Sequence, residues 1–258
     1  MKKRFLDPAG RASRILVLLC AFCSCASGPR GPDIGRLPQL TSDDPRAEAE
    51  LRTAQKSVER GRTTQAEKQL REFLHAHPED RLVPVAQLEL GRVLLGKHQE
   101  GEALALFSSV TEHPEPAVAE QGRFYAGVAN ERLGRHKEAI DILEPMLGRT
   151  IEAEQTRLLL DTLADAYVAV QQYAAAVRMI SLRMEDELPD AQRRKLRERM
   201  SELIDQKAGP ADIRQLLSEL DHKSPAYRQT AIRAVRDAEA ARDTDRVREL
   251  IELLRAEK

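Results

Sequence analysis

The chain has 258 residues, 41% hydrophobic and 32% charged, with 3% aromatics and no tryptophan, a balance closer to long helices than to a strand-rich domain. Its 41 Lys+Arg stand against 42 Asp+Glu, and five of the basic residues crowd the first 14 positions, so the remainder is acidic and unsuited to nucleic acid. All three cysteines fall within the first 25 residues, which excludes a disulfide-stapled body.

The opening MKKRFLDPAGRASRILVLLCAFCSCAS sets Lys2, Lys3, Arg4, Arg11 and Arg14 against Asp7, then runs apolar from Ile15 to Phe22. That is the layout of a secretory signal. The apolar run is far shorter than the roughly 20 residues of a membrane-spanning helix. The segment resembles a bacterial lipoprotein signal, in which a small residue precedes a cysteine that is lipidated and becomes the new N-terminus. Cys25, after the small Ser24, fits that pattern best, whereas Cys20 follows Leu19 and Cys23 follows Phe22. Phe22 also stands where the family prefers leucine, and an ordinary cleaved signal with incidental cysteines is the alternative.

The resemblance implies a signal peptide over 1–24 and a lipidated, flexible spacer over 25–43. Acyl chains contribute about 0.8 kcal/mol per buried methylene, so several together hold a protein firmly to a membrane. Ala26 and Ser27 lack the aspartate that retains lipoproteins of enteric bacteria at the inner membrane, which implies an outer-membrane tether facing the periplasm. Removing residues 1–24 leaves 36 Lys+Arg against 41 Asp+Glu, a net charge near −5. Residues 26–43 hold three prolines and three glycines with little apolar periodicity, as a spacer should.

From Asp44 the chain repeats. Ala66 with Leu70, Ala103 with Phe107, Ala139 with Leu143 and Ala176 with Ile180 recur, the alanines spaced by 37, 36 and 37 residues. Each unit starts with a second helical pattern, as in VAQLELGRVLLG and LLLDTLADAYVAV. Two antiparallel helices per unit follow, with small residues where backbones cross closely and a large residue one turn later. Ala54, Gly91, Gly127 and Ala164 each stand twelve residues before the unit's alanine. Glycine within a helix costs about 1 kcal/mol against alanine, so Gly91 and Gly127 point to packing. Gly61 and Gly134, five residues before their alanines, are placed to close the first helix in a left-handed turn.

These features resemble the tetratricopeptide repeat, with Tyr167 and Pro78 at its aromatic and proline places and Leu90 and Leu163 before the small residue. Ser57 and Asn130 replace the aromatic, the helix A tryptophan is missing, and the period exceeds the usual value of about 34. The resemblance implies an all-α helical-repeat solenoid of about four to five helix pairs, with tetratricopeptide-like repeats over 44–188 and diverged repeats capping 189–258. It further implies a partner-binding groove formed by Leu51, Gln55, Leu88, Arg92, Phe124, Val128, Glu131, Asp161 and Asp165, with Phe124 as aromatic anchor.

Beyond Met184 the pattern predicts a helix from about Pro189 to Lys207, a break at Gly209 and Pro210, a short helix over ADIRQLLSEL and a closing pair from Ser224 to Glu257. The cluster RRKLRER at 193–199 spreads around its helix and reads as a solvated face. No HExxH, no CxxC, no glycine-rich phosphate loop and no GxSxG elbow occurs in the mature chain, and six histidines are scattered. Asp161 and Asp165 share a helix face without a third ligand, which reads as a solvent-facing pair. No catalytic residue, metal or cofactor is expected, and the chain is read as non-enzymatic.

A lipoprotein signal before such helices resembles the penicillin-binding-protein activator lipoproteins. GRHKEAIDILEPMLGR and LLLDTLADAYVAVQQYAAAVRMI are similar to their amino-terminal helical domain. Early repeats such as QAEKQLREFLHAHPED also resemble lipoproteins of the outer-membrane β-barrel assembly machinery. The implied partner is a cell-envelope protein, either a peptidoglycan synthase or an outer-membrane assembly component. A glycan or small-ligand binding module is the alternative.

Overall fold

The computed structural model describes residues 40–148 and 152–256. The expected signal peptide, Cys25 and most of the spacer lie outside the described residues.

Among the described residues the chain is all helix, in antiparallel pairs. The first four pairs are α1 (Pro45–Glu59) with α2 (Thr63–Ala76), α3 (Val83–Gly96) with α4 (Glu100–Ser108), α5 (Pro116–Arg132) with α6 (His136–Leu143), and α7 (Ala153–Ala169) with α8 (Tyr173–Arg183). An irregular unit follows, α9 (Asp190–Glu202), a π-helical turn Leu203–Lys207 and α10 (Pro210–Glu219), then the closing pair α11 (Pro225–Ala240) and α12 (Thr244–Ala256). From α1 to α9 each helix packs on its chain neighbours, α10 packs on α8 and α11, and α1, α3, α5 and α7 also touch in succession, which makes a helical-repeat solenoid.

The sequence period is a packing period. Ala66, Ala103, Ala139 and Ala176 are fully buried, as are Leu70, Phe107 and Leu143, with Ile180 nearly so. A Cβ added to Gly91 would sit 2.5 Å from Phe107, and one added to Gly127 would sit 2.5 Å from Leu143. In α3 and α5 the glycine of the first helix therefore seats the large residue of its own second helix.

Gly61 and Gly134 adopt the left-handed backbone at φ 67° and 75°, as their positions predict. The same conformation is taken by His98 at 58° and Gln171 at 62°, which fall in the same register. At each of the four turns the next residue's N–H reaches back to the first helix: Arg62 to Ser57 O, Gln99 to Leu94 O, Arg135 to Asn130 O and Gln172 to Tyr167 O, all within 2.9–3.0 Å. The α11/α12 turn repeats the device, with Arg242 at φ 59° and Asp243 N–H bonded to Ala238 O at 2.9 Å.

Two details depart from expectation. The end of the spacer is fastened to the body, since Leu40 packs against the core and Ser42 Oγ bonds Asp80 at 2.5 Å. The helix expected from about Pro189 to Lys207 does reach Lys207, but its last turn is π-helical, where Ala208 N–H bonds Leu203 O at 2.7 Å and Arg233 donates to the carbonyls of Ile204, at 3.0 Å, and Asp205. Asp212, at the third position of α10, accepts the Gly209 N–H at 2.9 Å and the Ala174 N–H at 3.4 Å, tying α10 to α8.

Candidate partner-binding groove

The structure divides the nine expected groove residues in two. Leu51, Leu88, Phe124 and Val128 are buried in the core rather than lining a groove, Phe124 being only 3% exposed and edge-on to Tyr125 at 5.2 Å. The physical reason is the tight crossing of successive first helices, which closes over every large apolar side chain between them. The aromatic anchor is therefore withdrawn from the surface. Gln55, Arg92, Glu131 and Asp161 are half-buried and Asp165 is exposed.

These five belong to a polar seam along the first helices, and the sequence reading missed several other members. On the α1 and α3 side, buried Glu89 pairs with Arg92 at 3.4 Å, receives a hydrogen bond from Gln55 and lies in the field of Glu59. The Arg92 guanidinium sits over the Tyr125 ring, 5.9 Å from its centre, and so carries the seam to α5. On the α5 and α7 side, Glu131 lies in the field of Asp165. Asp161 pairs with Arg183 of α8 at 3.4 Å and Asp165 with Arg199 of α9 at 2.5 Å. The acidic pair faces solvent as expected, and is also braced by arginines from two later helices. Arg183 and Arg199 lie 22 and 34 residues from their partners in the chain, a separation that leaves no local signature.

Electrostatics separate this face from the second helices. There, Arg71 grips Glu102 through two bonds of 2.6 and 2.9 Å and also holds Glu67, which Lys97 contacts at 2.5 Å. The Lys97 and Arg71 hydrogen bonds hold Glu67 below the usual carboxylate range, and Arg71 does the same for Glu102. Along the seam the sign reverses. Burial pushes Glu89 up against the pull of Arg92, burial and then Asp165 push Glu131 up, and burial pushes Asp161 up despite Arg183. Glu89, Glu131 and Asp161 have too little positive charge near them to offset their burial.

Among the described residues no group of three or more His, Cys, Asp or Glu could hold a metal ion, and no helix is long and apolar enough to cross a membrane. The stack of helix pairs is a tetratricopeptide-like helical fold, a kind that commonly binds protein partners. Residues 41–141 match the family described as a tetratricopeptide repeat-like domain. A solved structure with a similar chain is from Podosopora anserina and is described as a kinesin light chain with nearly identical TPR-like repeats. It shares 18% identity, with 82% of this chain and 94% of that chain covered and a TM-score of 0.43. No curated protein matches the chain.

Proposed function

We propose that the protein is a non-enzymatic scaffold, lipid-anchored through Cys25 at the outer membrane and facing the periplasm, that holds a basic segment of another cell-envelope protein along its seam. The observation that carries this reading is two groups of acids on the first helices, Glu59 with Glu89 on α1 and α3, and Glu131 with Asp161 and Asp165 on α5 and α7. Three of those carboxylates are held above their usual range by burial. A cationic segment laid along them would restore the missing charge, and such complementarity sets specificity and association rate. The partner classes that fit the envelope address are a peptidoglycan synthase or a component of outer-membrane β-barrel assembly.

Glycan or small-ligand binding is the weaker reading, because Phe124, Tyr125 and Tyr167, the aromatics available for stacking, are buried. The test is photocrosslinking in intact cells from Glu131, with a second probe at the outer-face residue Lys68. Capture of an envelope protein from Glu131 but not from Lys68, followed by salt-sensitive binding of its basic segment to the purified chain, supports the scaffold reading. Equal capture from both positions, or none from Glu131, contradicts it.

A further inference from the structure

A pocket of about 260 Å³ lies between α8, α9 and the start of α11. Bulk water occupies about 30 Å³ per molecule, so a tetrahedral oxyanion fits with room for solvent. Its cations are Arg193 and Arg197, one turn apart on α9, and Lys223, just before α11. Its acids are Glu185 and Asp221, and Asp221 is engaged by the Lys223 backbone N–H at 3.1 Å. Among the described residues none of the three cations has an ion-pair partner, whereas Arg183, Arg199 and Arg233 around them are all paired. The Arg193 Nε is shielded from solvent and meets no acceptor. Arg193 is half-buried while Arg197 and Lys223 are exposed, so the pocket opens to solvent on its cationic side. Pro225 and Ala226 also bring the positive end of the 16-residue α11 to the pocket wall.

We propose that this pocket is an anion site for a phosphate-sized oxyanion, held by the guanidinium forks of Arg193 and Arg197 with Lys223 as a point charge. RRKLRER is the solvated face expected, with Arg194, Lys195, Arg197 and Glu198 exposed; Arg199 reaches back to the seam, while Arg193 and Arg197 line the pocket. Glu185 and Asp221 offset part of the charge, so selectivity comes from the forked donors rather than from net charge. The site does not depend on the seam.

The test is calorimetric titration of the full chain with inorganic phosphate at fixed ionic strength, using chloride as the blank, and separately with glycerol phosphate as a headgroup mimic. Arg193→Gln and Arg197→Gln are each expected to weaken binding about tenfold, whereas Arg246→Gln on α12 leaves it unchanged. Arg193→Lys is expected to recover part of the loss, and circular dichroism of every variant separates lost binding from lost fold. Tighter binding of glycerol phosphate assigns a lipid headgroup or similar ester, and tighter binding of inorganic phosphate assigns the free ion. Absence of binding by both, or equal affinity in an Arg193→Gln, Arg197→Gln double variant, overturns the proposal.

Discussion

At the scale of single residues, the glycines of the first helices have a role set by distance. Gly91 and Gly127 leave the space that Phe107 and Leu143 occupy, with 2.5 Å to an added Cβ. Gly91→Ala and Gly127→Ala are each expected to destabilise by about 1–3 kcal/mol, because the ring or the leucine must shift in a filled core. Gly101, inside α4 with nothing within 4 Å of an added Cβ, is the control. Gly101→Ala is expected to stabilise by about 0.5–1 kcal/mol, and urea unfolding of the three variants checks the contrast. The sequence showed these contacts because alanine and glycine recur at fixed spacing from a large residue. It did not show that Leu51, Leu88, Phe124 and Val128 are buried, because an apolar residue on a first helix reads the same whether it faces a groove or the next repeat.

At the scale of elements, the turns and the π segment carry the lessons. A left-handed residue ends every first helix of the four regular pairs, yet glycine fills only two of those places. His98→Gly and Gln171→Gly are each expected to stabilise by about 0.5–1 kcal/mol, since a side chain is strained in that conformation. Thermal unfolding showing no gain would mean that the turn strain is relieved locally. The two glycines were legible in the sequence and the other two turns were not, because histidine and glutamine carry no turn signature of their own. The π turn was also invisible: its extra residue leaves the apolar stripe intact, and Arg233, which satisfies its carbonyls, sits on another helix. Arg233→Ala is expected to cost about 1–3 kcal/mol by leaving those carbonyls without a donor, which hydrogen exchange at Leu203–Lys207 would localise.

At the scale of the whole molecule, two faces of opposite electrostatic character share one solenoid. On the second-helix face, Glu67 and Glu102 have folded values below their unfolded ones, so their stabilisation is present at neutral pH and lost as pH falls through the folded values. On the seam, Glu89, Glu131 and Asp161 have raised folded values, so their penalty is present at neutral pH and relieved as pH falls through them. Glu131→Gln is therefore expected to raise Tm by about 1–2 °C at neutral pH. The gain should shrink as pH falls into the carboxylate range, and melting curves across pH read it directly. A gain that grew on acidification would mean that Glu131 is stabilised as an ion. The architecture was legible because helix pairs repeat at nearly constant length. The seam was only half legible, since its bracing arginines come from outside the repeat that contributes the acids. The anchor is a matter of mass: a diacylated or triacylated N-terminus at Cys25 is expected, and a free, unacylated end would remove the membrane tether.

The scaffold claim rests most directly on whether the seam attracts a basic partner. In intact cells, a photocrosslinker at Glu131 is expected to join the chain to an envelope protein, and the Asp161→Lys, Asp165→Lys variant is expected to lose that adduct, with circular dichroism of the variant separating lost binding from loss of the braces to Arg183 and Arg199. An adduct that survived both charge reversals, or one formed equally from Lys68 on the outer face, would contradict the account.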